Sequence, residues 1–81
     1  MTKEQIATEV QEIFRRVFGD GTLQLSPQIS QDDIEEWDSL EQINILSIIE
    51  QKFGIKFDLN EVVNIKTVGD IVETAASKVN L

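Results

Sequence analysis

Glu36-Trp37-Asp38-Ser39-Leu40-Glu41 is the stretch whose reading decides the fold. Asp38 and Glu41 stand three apart, the spacing of a helix N-cap and its N3 position, and both put negative charge at the positive end of a helix dipole. A helix therefore begins here, with the Ser39 hydroxyl at its head. Beyond it Leu40, Ile43, Leu46, Ile49 and Phe53 recur at steps of three and four, and Ile45 and Ile48 widen the stripe past half the circumference. So broad an apolar arc places this helix centrally, touching several others. Gly54 ends it.

Working outward, residues 3–18 carry a second stripe, Ile6, Val10, Ile13, Phe14 and Val17. Thr2 and Gln5 have capping-box spacing at its start, and Gly19 is a left-handed stop. Residues 19–37 follow no helical period. Gly19-Asp20-Gly21-Thr22 and Ser26-Pro27 break the chain, Ser30 with Asp33 has the spacing to cap one short turn, and Leu23 to Leu25 has strand character without a partner. Loops beyond about 12–15 residues are uncommon in compact domains. This one holds Leu23, Leu25, Ile29, Ile34 and Trp37, enough to lie ordered against a core, with Trp37 as its anchor. On the far side Ile55-Lys56-Phe57 is a short link. Asp58 and Glu61 then cap a brief helical piece with Leu59, Val62, Val63 and Ile65. Thr67 and Asp70 cap a last helix whose face is Val68, Ile71, Val72, Ala75, Ala76 and Val79. The expected fold is all-α: a small right-handed bundle of three main helices plus one short one, a single domain over 1–81.

Composition bounds the function. At 81 residues, folding removes roughly 60–65% of the unfolded chain's surface from water, so a deep enzyme cleft is not expected. Seven basic against fifteen acidic residues give a net charge of −8, which opposes nucleic acid and anionic membrane surfaces and favours basic protein partners. The acid is unevenly spread. No Lys or Arg occurs between Arg16 and Lys52, while Asp32, Asp33, Glu35, Glu36, Asp38 and Glu41 crowd around Ser39. No stretch approaches the ~20 apolar residues of a membrane span, and no signal-type segment opens the chain. A cytoplasmic monomer without stable membrane insertion is the expectation.

The chain has neither cysteine nor histidine. That removes the usual zinc ligands, the imidazole of a serine triad and any thiol nucleophile. A calcium loop starting at Asp32 fails because its third and sixth positions are Ile34 and Trp37. Asp38 and Glu41 as an acid–base pair lack a pocket to shift either pKa. No metal site is expected. What survives is covalent modification of a hydroxyl. By itself a serine after an Asp cap is more often a plain helix-start residue. Ser26, Ser30, Ser47 and Ser77, however, do not combine a helix start, clustered acid and a flanking apolar anchor as Ser39 does.

Glu36-Trp37-Asp38-Ser39-Leu40-Glu41, followed by Ile43, Leu46, Ile49, Glu50 and Phe53-Gly54-Ile55, resembles the acyl carrier protein family, and the likeness runs over nearly the whole chain. The resemblance implies a non-enzymatic carrier. Ser39 would receive 4′-phosphopantetheine from coenzyme A, and acyl groups would ride on that arm as thioesters between the enzymes of a fatty-acid-like, polyketide or other specialised pathway. It implies further that Asp38 helps a phosphopantetheinyl transferase place its metal and coenzyme, and that Leu40 docks apolarly. Glu36, Trp37, Glu41, Ile45 and Glu50 would form the docking face for acyl-loading and acyl-processing enzymes with basic surfaces. Ile43, Leu46, Val62, Ile65 and Ala75 would line a cavity for the acyl chain.

Asn44 and Ser47 stand where the fatty-acid carriers of this family often have Glu, and Trp37 where a small residue is common. These departures point to a specialised carrier. Two alternatives stay open on the sequence: an aminoacyl or peptidyl carrier, although the Gly-Gly-His-Ser pattern is absent, and an acidic helical interaction module that is never modified.

Overall fold

The computed structural model describes residues 1–79. Four α-helices follow in order: α1 (Lys3–Phe18), α2 (Ser39–Phe53), α3 (Leu59–Asn64) and α4 (Val68–Val79), with one 3₁₀ turn at Gln31–Asp33 between α1 and α2. Each boundary has a local cause. Thr2 and Gln5 close a reciprocal capping box on α1, and Asp38 accepts from the Glu41 amide at 2.9 Å at the head of α2. Asp58 and Glu61 box the start of α3, and Thr67 with Asp70 does the same work for α4 through bonds of 3.1 Å in each direction. Such caps satisfy amides that the first helical turn leaves without partners. Gly19 and Gly54, at φ 63° and 67°, end α1 and α2 in the left-handed conformation that side chains resist.

One core unites the helices. Ile6, Val10, Ile13 and Phe14 of α1 share this core with Ile45, Leu46 and Ile49 of α2 and Val68, Ile71, Val72 and Ala75 of α4, and Trp37 and Ile65 join it from the connecting segments. It is α1 that packs on both other long helices. The expectation that α2 is central therefore needs correction. Its apolar arc is broad, but Leu40 is 75% and Ile43 60% exposed. The inward register of α2 is instead Gln42, Ile45, Leu46 and Ile49, a polar residue holding the first core position. Counting apolar residues alone missed it, because the stripe from Leu40 starts on the surface at Leu40 and Ile43 and joins the buried row only at Leu46 and Ile49.

The long loop is ordered because α1 and α4 hold it. Arg15 Nε donates to the Leu23 carbonyl at 2.8 Å, and the Leu25 amide donates to Gln11 Oε1 at 2.8 Å. At the other side the first amides of α4 donate outward, Val68 to the Ile29 carbonyl and Gly69 to that of Pro27, each at 2.9 Å. A lone antiparallel bridge links Ser30 to Thr67. The strand character of Leu23 to Leu25 thus finds side chains rather than a strand. Gly69 is favoured by contact: a Cβ there would sit 3.0 Å from the Pro27 carbonyl oxygen, which would have to give way by a few tenths of an ångström. This double tether carries the chain across the bundle and delivers Trp37 to the core at the threshold of α2.

Candidate functional site

Trp37 fixes where α2 begins. Its ring is 2% exposed, stands edge-on to Phe14 with centroids 5.0 Å apart, and donates its indole N–H to Gln42 Oε1 at 2.7 Å. That bond spans the helix start, from the residue before the cap to the fourth residue of α2. The three residues that follow Trp37, namely Asp38, Ser39 and Leu40, are all exposed. A buried anchor thus carries an exposed tripeptide, and Ser39 occupies the first helical position of α2 with its hydroxyl open to solvent. Asp38 commits Oδ1 to the Glu41 amide, and Glu41 in turn accepts from Asn44 Nδ2 at 3.2 Å.

Ser39 also lies on the wall of an open groove of about 480 Å³ between the loop, α2 and the α3 region. Gln42, Ile43, Val62, Ile65 and Lys66 line it with Ser30, Gln31 and Asp32. The size falls in the range of small-ligand sites, roughly 300–1,000 Å³. Of the residues expected at an acyl cavity, Ile43, Val62 and Ile65 come together here. Leu46 and Ala75 do not: both are core residues, 4% and 0% exposed, held by helix–helix packing. Gln42 and Lys66 were not singled out from sequence. Gln42 lies one turn beyond Ser39, which was a usable signal, while Lys66 is brought in by the α3–α4 link and left no local trace.

The expected docking residues separate in the same way. Glu36 and Glu41 lie near Ser39 on the accessible side, and neither has a cationic partner among the described residues. Trp37 and Ile45 are buried at 2% and 0%, so neither can touch a partner in this conformation, and both leave the docking set as core anchors. Glu50 is half-buried and its Oε2 accepts from the Phe57 amide at 2.8 Å, which turns it toward the link after α2. Between Ser39 and the exposed Lys52 near its C-terminal end, α2 exposes Leu40, Ile43, Asn44, Ser47 and Gln51, an uncharged strip. Apart from Glu41, the acid near Ser39 resides in the loop, in Asp32, Asp33, Glu35, Glu36 and Asp38, all exposed. Among the described residues no three carboxylates converge as metal ligands, and no helix is long and apolar enough to cross a membrane.

The fold and site together define a four-helix domain that displays a serine at the head of its second helix. Residues 8–75 match the family model described as a phosphopantetheine attachment site. The chain is 38% identical to an acyl carrier protein of Acidothermus cellulolyticus over 77 residues, covering 95% of this chain and 92% of that one. It is 35% identical to an acyl carrier protein of Exiguobacterium sibiricum, covering 98% and 100% respectively. Among solved structures, the holo acyl carrier protein of Geobacter metallireducens superposes with a TM-score of 0.86 at 35% identity, covering 93% of this chain and 86% of that one. The chain belongs to the acyl carrier protein family: non-catalytic carriers of acyl groups on covalently bound 4′-phosphopantetheine. Membership implies dealings with a phosphopantetheinyl transferase and with acyl-processing enzymes.

Proposed function

We propose that Ser39 is the attachment residue and that the chain, as one domain, shuttles acyl groups between enzymes that read a neutral α2 face and an acidic loop. The observation that carries the attachment is positional. Ser39 is exposed at the first residue of α2, on a segment made rigid by the Trp37–Gln42 bond, and beside a groove. An exposed hydroxyl at a helix start also suits a phosphodiester, because amides of the first turn favour negative charge. Lys66 adds the one cation of the groove lining. The residues present therefore fit the group. When bound, it supplies the thiol that this cysteine-free chain lacks.

In the loading reaction Ser39 Oγ would form the new bond to phosphorus and lose its proton, with 3′,5′-bisphosphoadenosine leaving. Asp38 has Oδ1 bound to the helix cap, which leaves Oδ2 to face a transferase-held cation. Leu40, 75% exposed next to the hydroxyl, offers the apolar contact.

Two features support the finer reading of the partners. Leu40 and Ile43 are large, apolar and exposed on α2, with Leu59 and Val63 of α3 exposed as well. The unpaired carboxylates lie along the loop leading to Ser39. A partner fitted to this surface would pair an apolar cleft for α2 with basic residues toward its N-terminal end. With Asn44 and Ser47 on that strip, the fit is to enzymes that make less use of charge along α2, as in a specialised acyl pathway.

Intact mass after incubation with coenzyme A and a broad-specificity phosphopantetheinyl transferase tests the assignment. The expected result is one phosphopantetheinyl group per chain, absent in Ser39→Ala. A wild-type chain that stays unmodified, or an alanine variant that still gains the group, contradicts it.

A further inference from the structure

Gln42 is the only buried polar side chain of the described core. Its orientation is forced. An indole N–H donates and cannot accept, so the 2.7 Å contact must be made by Oε1. The two N–H donors of Nε2 then lie on the other side of the carboxamide, and no acceptor for them exists among the described residues. Because no fully buried side-chain nitrogen or oxygen among the described residues lacks a partner, Nε2 retains contact with solvent. Gln42 also lines the groove that holds Ser39, three residues earlier and so on the adjoining turn of the same helix face. One side chain therefore joins a core tryptophan to the groove, with a free donor at the groove end.

A core position that takes a polar residue breaks the local pattern, and such breaks concentrate where a protein binds something. Around Gln42 the walls Ile43, Val62 and Ile65 are apolar and make no hydrogen bond with a ligand, while Ser30, Gln31, Asp32 and Lys66 supply the polar lining from the loop and the α3–α4 link. An arm lying in the groove would bring amide carbonyls, and an acylated arm a thioester carbonyl as well. Either is an acceptor matched to Nε2.

We propose that Gln42 is a positioning residue for the prosthetic arm: Nε2 donates to a carbonyl oxygen of the arm or its acyl thioester in the groove, while Oε1 passes that contact to Trp37. The inference rests on Ser39 as the attachment point. The coupling is electrostatic. Donation from Nε2 polarises the carboxamide, and hydrogen bonds in series strengthen or weaken one another. Groove occupancy thereby becomes readable at the indole, although Trp37 itself never meets the arm.

The test is nitrogen-15 NMR of the apo, holo and acetyl-loaded protein, the last two made from coenzyme A and acetyl coenzyme A, with intact mass recorded on each sample. The chain has one tryptophan, so its indole N–H peak is unambiguous. Loading should move both the Gln42 carboxamide protons and the Trp37 indole peak, and slow hydrogen exchange at the carboxamide. Movement already in the holo form identifies an arm amide as the acceptor; movement only after acetylation identifies the thioester. In Gln42→Glu the indole keeps an acceptor but the groove loses its donor, so the indole peak should no longer respond to loading. The wild-type exchange measurement decides the matter even if that variant folds poorly. Complete loading by mass with unmoved resonances overturns the proposal alone, as does an equal indole shift in Gln42→Glu. Absence of any mass gain removes the arm, and the proposal falls with the Ser39 assignment.

Discussion

Trp37 and Gln42 show how one pair sets the geometry of the site. The pair locks the last loop residue before the cap to the first turn of α2, so Asp38 and Ser39 are displayed from a fixed frame. Trp37→Phe keeps most of the ring packing on Phe14 but leaves Gln42 Oε1 without its donor. An unsatisfied buried acceptor costs about 1–3 kcal/mol, and urea denaturation should show a loss of that size. Unchanged stability would mean that the bond contributes nothing net. From sequence alone, Trp37 was legible as an anchor because a lone tryptophan at the end of a long loop needs burial. Its expected second role, on the docking face, fails for the same reason: a side chain 2% exposed has no surface left to offer. Gln42 was legible as a neighbour of Ser39 by spacing, but not as a buried residue, since nothing local marks a glutamine as buried. Its partner had to be seen first.

At the scale of elements, the caps were the most readable features. Asp38 with Glu41, Asp58 with Glu61 and Thr67 with Asp70 are local in sequence, and each bond forms between residues three apart. The register of α2 was harder, because two apolar rows run side by side and only packing on α1 decides which is buried. The cavity residues divided likewise: Ile43, Val62 and Ile65 face the groove, while Leu46 and Ala75 are consumed by the core. Glu61 ties the start of α3 to the end of α4. It accepts from the Asp58 amide at 2.8 Å and from Lys78 Nζ at 2.9 Å, and these bonds hold its carboxyl below the usual value of 4.5. A depressed folded pKa stabilises above the unfolded value and is lost as pH falls through the folded one. Melting temperature against pH should therefore show Glu61→Gln less stable than wild type at neutral pH, with the gap closing below about pH 4.5. A gap that persists in acid would place the effect elsewhere. Gly69→Ala gives a second check. Its methyl group would press on the Pro27 carbonyl, so the loop should become more sensitive to limited proteolysis between residues 20 and 37.

For the whole molecule, what matters is how the net charge of −8 is distributed. The four ion pairs among the described residues engage Glu9, Glu12, Glu61 and Glu73, none of which belongs to the loop leading to Ser39. The loop acids stay uncompensated, while α2 turns an uncharged strip outward. Association with an acyl-processing enzyme should slow as ionic strength rises toward about 1 M, where the Debye length is near 3 Å. Glu35→Gln with Glu36→Gln should flatten that dependence in stopped-flow binding, and Ile43→Ala should mainly speed dissociation. Binding insensitive to salt would contradict a role for the loop acids. Sequence showed that acid surrounds Ser39, but not that an uncharged strip of α2 faces outward beside it, since exposure depends on the register.

All of this hangs on which hydroxyl carries the arm. Because no Lys or Arg lies between Arg16 and Lys52, trypsin releases a single peptide, residues 17–52, that holds Thr22, Ser26, Ser30, Ser39 and Ser47 together. Fragmenting that peptide by tandem mass spectrometry after loading from coenzyme A separates these positions. The modification is predicted on Ser39 alone, with Ser39→Ala giving an unmodified peptide at unchanged melting temperature. Modification at any other residue, or none on a folded wild-type chain, would contradict the account.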